Sequence, residues 1–200
     1  MSVSLQKGTT VSLAKASADA GVSTPLTKVI AGAGWDAKDG KSIDLDLLTV
    51  LIGNDGKAIP DANGNGTNLD EAVTFFNNLD GIAGVKHSGD NLTSEGDGDD
   101  EQIEVTLADV PANANEIAVV VASYSGEKFS EIENVHVRLV NADGNVEMAK
   151  LELKDGLGDT KGVELGRLVR NGSEWDFKAT GNTIAGDFTQ IVASYGGTGL

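Results

Sequence analysis

The densest chemistry in the chain lies in GDNLTSEGDGDDE, residues 89–101, which carries Asp90, Asn91, Glu95, Asp97, Asp99, Asp100 and Glu101 interleaved with Gly89, Gly96 and Gly98. Four of its carboxylates fall within residues 97–101. Adjacent carboxylates held in an ordered chain repel one another, so order there requires a counter-charge. No Lys or Arg lies between Lys86 and Lys128, and a local ion pair cannot supply it. A hard cation can. Calcium takes about six to eight oxygens from carboxylates, amides, backbone carbonyls and water, whereas magnesium keeps fewer protein ligands in stricter geometry. The glycines let the backbone fold sharply enough for several oxygens to converge. The alternative is a solvated acidic loop, as charge runs commonly are.

Three further groups offer oxygens. In GWDAKDGKSIDLDLL, Asp36 follows a Gly-Trp pair, and Asp44 and Asp46 stand two apart on a strand pattern. Side chains two apart on a strand share one face and can reach one ion or two neighbouring ones. A solvent-facing strand edge would look the same. In DANGNGTNLDE, Asp61, Asn63, Asn65 and Gly66 match the opening of an EF-hand loop, but its twelfth position is Ala72 and flanking helices are not evident, so an ordinary Asn/Gly loop fits better. Asn77 and Asn78, ahead of the acidic loop, carry amide oxygens that suit calcium and equally suit a turn.

Other chemistries have less support. The chain has no cysteine, which removes disulfides, thiolate zinc sites and cysteine nucleophiles, and only two histidines, His87 and His136, which argues against a multi-histidine transition-metal site. There is no nucleophile elbow, no ordered triad and no GxxxxGK[ST] loop. Paired carboxylates could serve a glycosidase, but aromatics for a sugar platform make up only 4% of residues. A net charge of −16 argues against nucleic acid and against direct docking on anionic lipid, and attracts cations or a basic protein face. MSVSLQKGTTVSL lacks a basic region followed by an apolar run, and no stretch is apolar enough to span a bilayer, so the expected compartment is the cytoplasm.

The elements that must position these residues are mostly short strands. Val3/Leu5 and Val11/Leu13 read as strands split at Gly8. Residues 26–31 lead into an expected turn at GAGWD. In SIDLDLLTVLI (42–52), Ile43, Leu45 and Leu47 alternate with Asp44 and Asp46. VTFF, QIEVTL and EIAVVVASY follow, the last continuously apolar as in a strand buried on both faces. Two hairpins turn at 141–145 and 171–173. A short helix is expected at 186–195, stopped by Gly196 and Gly197, and one helical turn near 127–133. This pattern predicts an all-β fold, a β-sandwich of two antiparallel sheets with a few short helices, as one domain over residues 1–195 with a flexible tail at 196–200.

At these same residues the chain resembles the TerD family of tellurite-resistance and stress-response proteins. The resemblance covers nearly the whole chain: SVSLQKGTTVSL, GAGWD at 32–36, DLD at 44–46, NNL at 77–79, HSGDNLT at 87–93, GDGDDE at 96–101, FSEIENV at 129–135 and the closing EWDFKATGN. It implies a β-sandwich that binds Ca2+ through its acidic loops and carries out no reaction. It also implies a role in resistance to tellurite and to chemical and phage stress, with other stress-response proteins as partners and peripheral association near the inner membrane through them. Carried over by position, the implied metal ligands are Asp36, Asp44 and Asp46, then Asp90, Asn91, Asp97, Asp99, Asp100 and Glu101. Ser94, the Asn/Gly-rich 61–72 segment, Phe177 and the region after Gly181 depart from the family pattern. Two rival readings remain open: a metal-organised module that recognises a protein, sugar or nucleotide, and a carboxylate hydrolase.

Overall fold

The structure, a computed structural model, describes residues 2–38, 43–59, 72–81, 84–92, 98–153 and 157–196. Asp97, Ser94, the Asp61–Asn65 loop and residues 197–200 of the expected tail lie outside them. Among the described residues twelve strands run in chain order: β1 (Val3–Leu5), β2 (Thr10–Ser12), β3 (Lys28–Ala37), β4 (Asp46–Ile52), β5 (Val73–Thr74), β6 (Val85–His87), β7 (Glu101–Thr106), β8 (Glu116–Ala122), β9 (Ile132–Asn141), β10 (Val146–Leu153), β11 (Gly162–Asn171) and β12 (Glu174–Ile184). The helices among the described residues are α1 (Leu13–Asp19) and α2 (Phe188–Ala193), with a 3-10 turn at Phe129–Glu131.

The strands form two six-stranded sheets, ordered β1-β10-β9-β3-β7-β6 and β2-β12-β11-β8-β4-β5. The expected all-β sandwich is therefore observed. Pairing is antiparallel except where β1 lies parallel to β10. Alternation builds the core: Val29, Ala31, Ala33 and Trp35 of β3 face Leu47 and Leu51 of β4 and Ile117, Val119 and Val121 of β8 between the sheets. The other faces of β4 and β8 are apolar too. Leu48, Val50 and Ile52 with Ala118 and Val120 form a second cluster beneath Phe188, Ile191 and Val192 of α2. This is why β8 reads as a continuous hydrophobic run.

Several expectations need correcting. Leu13 is not on a strand: Ser12 ends β2 and caps α1, its hydroxyl accepting from Lys15 N at 3.3 Å. β6 carries too short a pattern to have been expected. GAGWD is not a turn: β3 runs straight through it, with a register shift between Gly34 and Asp36. Its glycines serve to leave space rather than to bend the chain.

The C-terminal end is tied down by a polar network. Arg167 of β11 donates to both oxygens of Glu164 and to Glu116, and the Tyr195 hydroxyl donates to Glu164 Oε2 at 2.8 Å. Tyr195 is buried, and burial beside the Glu164 carboxylate pushes its phenol well above the usual range. Tyr195→Phe is expected to lower unfolding free energy by about 1–3 kcal/mol, the cost of removing a buried bond to a charged group, as measured by urea denaturation.

Candidate metal centre

Glu101 opens β7 and is fully buried. Its Oε2 accepts from Leu47 N of β4 at 2.7 Å, and its Oε1 from Asn91 N at 3.1 Å. It thus joins the two sheets and gathers the acidic loop. His87 of β6, also buried, packs beside it, with Nε2 3.0 Å from Leu47 O and 3.3 Å from Glu101 Oε2. Gly89 N donates to His87 Nδ1 at 3.0 Å. That bond makes Nδ1 the acceptor and places the ring hydrogen on Nε2. Both ring nitrogens are occupied by protein, which leaves His87 no free base for catalysis.

Asp46 precedes Leu47 and Asp90 precedes Asn91, so the two bonds to Glu101 position both aspartates. With Asp44 they converge: one carboxylate oxygen from each of the three lies within 4.8 Å of the others. Asp46 is only 2% exposed, and among the described residues its Oδ2 has no hydrogen-bond partner, nor does Asp44 Oδ1. Tyr124 N donates to Asp46, and Ser125 Oγ donates to Asp44 Oδ2 at 3.4 Å. Like charges at this separation repel by about 3 kcal/mol per pair at an effective dielectric of ~20. Burial, then Glu101, Asp44 and Asp90, push Asp46 up to about 8, and burial and its acidic neighbours raise Asp44 and Asp90 as well. Unpartnered buried carboxylate oxygens that converge suit a hard divalent cation.

The rest of the acidic loop does something different. Gly32 is paired with Gln102 on one side and Arg138 on the other. The Asp99 carboxylate lies over this glycine; a Cβ there would stand 1.9 Å from its Oδ2. Asp99 accepts from Gln102 Nε2 at 2.9 Å and forms an ion pair with Arg138 Nε. Burial alone would raise Asp99, but hydrogen bonds from His136, Arg138 and Gln102 and the Arg138 charge outweigh it and hold the carboxyl below its usual value. The counter-charge missing from the local sequence therefore arrives from β9. Gly34 plays the same part for the His136 ring, whose Cε1 would lie 2.4 Å from an added Cβ.

Asp100 Oδ2 accepts from Trp35 N at 2.8 Å, and Asn91 Nδ2 donates to its Oδ1 at 3.2 Å. Asp36 accepts from Asn134 Nδ2 at 2.7 Å, and Asn134 adopts a left-handed φ of 56°. Asp36 and Asp100 border a cleft of about 460 Å³ shared with Gly98, His136 and Arg138. Asn77 is exposed in the turn after β5, where Asn78 Nδ2 donates to Val73 O. His87, Tyr124, Ser125, Asn134 and Arg138 were not among the expected site residues. Alternation in NVHVRLV puts His136 and Arg138 on one face, but only the sheet order brings that face under Asp99.

Two sheets closed over an aliphatic core, with carboxylates gathered at one end, define a β-sandwich with an acidic end-loop centre. The chain belongs to the TerD family: the family model for the TerD domain matches residues 1–195. It is 36% identical over 203 residues to Tellurium resistance protein TerD of Serratia marcescens, covering 98% of each chain. It is 35% identical to General stress protein 16U of Bacillus subtilis (strain 168), again covering 98% of each. The crystal structure of a homologue of a telluride resistance protein from Streptomyces coelicolor A3(2) matches with a TM-score of 0.60 at 18% identity, over 86% of this chain and 99% of that one, which supports the fold.

Two outcomes are expected. Gly32→Ala pushes Asp99 off Arg138 and lowers stability by about 1–3 kcal/mol, measured by thermal and urea unfolding; Arg138→Ala should abolish most of the difference. Without metal, Asp46 binds its proton more tightly folded than unfolded, so its contribution to stability is present below its ordinary value of 3.8 and is lost as pH rises towards about 8. Melting temperature in chelator should fall across that window, and Asp46→Asn should flatten the fall.

Proposed function

We propose that the protein is a calcium-binding, non-catalytic member of a tellurite and general stress-resistance system, and that its ion sits between Asp44, Asp46 and Asp90. The observation that carries this reading is the Asp46 carboxylate, buried, with an unpartnered oxygen within reach of two other carboxylates. Desolvation and repulsion make the ionised apo centre costly, and a divalent cation offsets both. Calcium is preferred over magnesium because the donors are all oxygens on loops and strand ends that can accommodate a larger, irregular shell. The stress role is supported by the relatives, a tellurium resistance protein and a general stress protein. The ion would act by ordering the end loops, so that signalling or assembly with other stress-response proteins depends on calcium. Activity in the cytoplasm is the proposed setting; among the described residues no helix is long and apolar enough to cross a membrane.

Calorimetry and thermal melts test this. At calcium 100-fold above Kd the gain is about 2.7 kcal/mol, a rise of roughly 5–10 °C for a chain of this size, with a smaller rise for magnesium. Asp46→Asn and Asp44→Asn should each weaken calcium at least tenfold, whereas Asp99→Asn, whose partner is Arg138, should change affinity far less. A stoichiometry above one that Asp36→Asn reduces would assign the further ion to the Asp36–Asp100 cleft. No heat of binding together with no thermal shift overturns the proposal. Turnover of a substrate lost in Asp44→Asn with calcium affinity intact would point instead to a hydrolase.

A further inference from the structure

Aromatic residues are only 4% of the chain, yet four of them form one cluster beside the carboxylates. Phe76 and Phe188 hold Tyr124 edge-on, with ring centroids 5.4 and 5.5 Å away and interplanar angles of 74°, and Phe75 packs behind them. Tyr124 is nevertheless 64% exposed. A large aromatic ring fixed by its neighbours and left open to solvent is a preorganised contact surface. Its position follows from the strand register. Asp46 pairs with Ala122, and Tyr124 lies two residues further along β8's direction, donating its backbone N–H to Asp46 while Ser125 reaches Asp44.

The other exposed large hydrophobics among the described residues sit at the same end. Leu92, 59% exposed, is two residues beyond Asp90, and Leu79, 40% exposed, accepts through its carbonyl from His87 N. Single exposed apolar residues are ordinary on a surface, but here all three flank one carboxylate centre. The local charge selects the partner. Asp44, Asp46, Asp90 and Glu101 outnumber the charge of one divalent cation. Lys86 and Lys128, which bracket the region in sequence, are paired with Asp80 and Asp159.

We propose that Tyr124, braced by Phe76 and Phe188 beside Asp44, is the docking point for an arginine or lysine side chain of a basic segment in a partner protein. The cation lies over the open ring face and is attracted by the ring quadrupole and the nearby carboxylates, while aliphatic side chains of the same segment cover Leu79 and Leu92. The negative excess disfavours an anionic lipid surface as the occupant. This inference goes beyond the metal proposal and does not require the ion.

The test is binding of a labelled peptide of repeated Arg-Leu-Gly units, followed by fluorescence anisotropy in calcium and in chelator, with a Glu-Leu-Gly peptide as control. The arginine peptide is expected to bind and the glutamate peptide not. Tyr124→Phe, which keeps the ring, should stay within about twofold, while Tyr124→Leu, which keeps apolar bulk without the ring quadrupole, should weaken binding about 3- to 30-fold. Equal affinity of Tyr124→Leu and the native chain, or equal binding of both peptides, overturns the proposal. So does Tyr124-dependent sedimentation with phosphatidylserine vesicles without peptide binding, which assigns the face to a membrane. Concentration-dependent self-association in ultracentrifugation, abolished by Tyr124→Ala, overturns it in favour of a second copy. Calcium affinity is read separately on each variant, so failure of docking leaves the metal proposal standing.

Discussion

The Glu101 carboxylate is the constraint on which this end of the molecule depends. It is wholly buried, and its two oxygens accept backbone N–H groups from different parts of the chain: Leu47 on a strand of the opposite sheet and Asn91 on the acidic loop. Each bond fixes the residue next to the one it touches, and those residues are Asp46 and Asp90. A buried anion is tolerated only when its acceptor capacity is met. The same satisfaction that makes Glu101 affordable forces the carboxylates of Asp46 and Asp90 together. Repulsion at the centre is thus a consequence of the fold's own hydrogen bonding rather than of crowded acidic sequence.

The carboxylates at this end of the molecule divide into two groups with opposite electrostatics. Asp99 lies on a glycine of β3 between Gln102 and Arg138, and its charge is met within the protein. Asp46 has a donor from the Tyr124 backbone and three acidic neighbours, and its charge is opposed. The first group anchors the loop through contacts within the protein, and the second leaves repulsion that the proposed ion would relieve. Anchoring matters because a freely mobile loop would relieve repulsion by moving apart, which would leave little for a cation to gain.

The sandwich was legible because its signals are local: alternation at the start of the 42–52 segment, two hairpin turns, and the continuous apolar run of β8. The helix α1 was missed because Leu13 continues the alternation of β2, and only the Ser12 cap marks the change. The turn assigned to GAGWD failed for a more general reason. Glycine in a strand is called for either by a bend or by a neighbour that occupies the place of a side chain, and the neighbour here is Asp99, distant in sequence. Asp44 and Asp46 were recognisable from their spacing, and Asp90 from its loop. Arg138 was not, since a search for counter-charge along the chain between Lys86 and Lys128 cannot see across the sheet.

The placement of the aromatic cluster follows from that same division. Asp44 and Asp46 share the parity of Leu48, Val50 and Ile52, so they lie at the end of the face that α2 covers rather than in the core between the sheets. The apolar cover ends where the carboxylates begin, and Phe76 and Tyr124 occupy the border. An aromatic ring suits such a border because its edge packs against hydrocarbon while its face tolerates water or a cation. An aliphatic residue in Tyr124's place could satisfy the first requirement but would offer no electrostatic contact to the second. The boundary between α2's apolar cover and the carboxylate centre therefore brings the proposed ion site and the proposed docking face onto one surface.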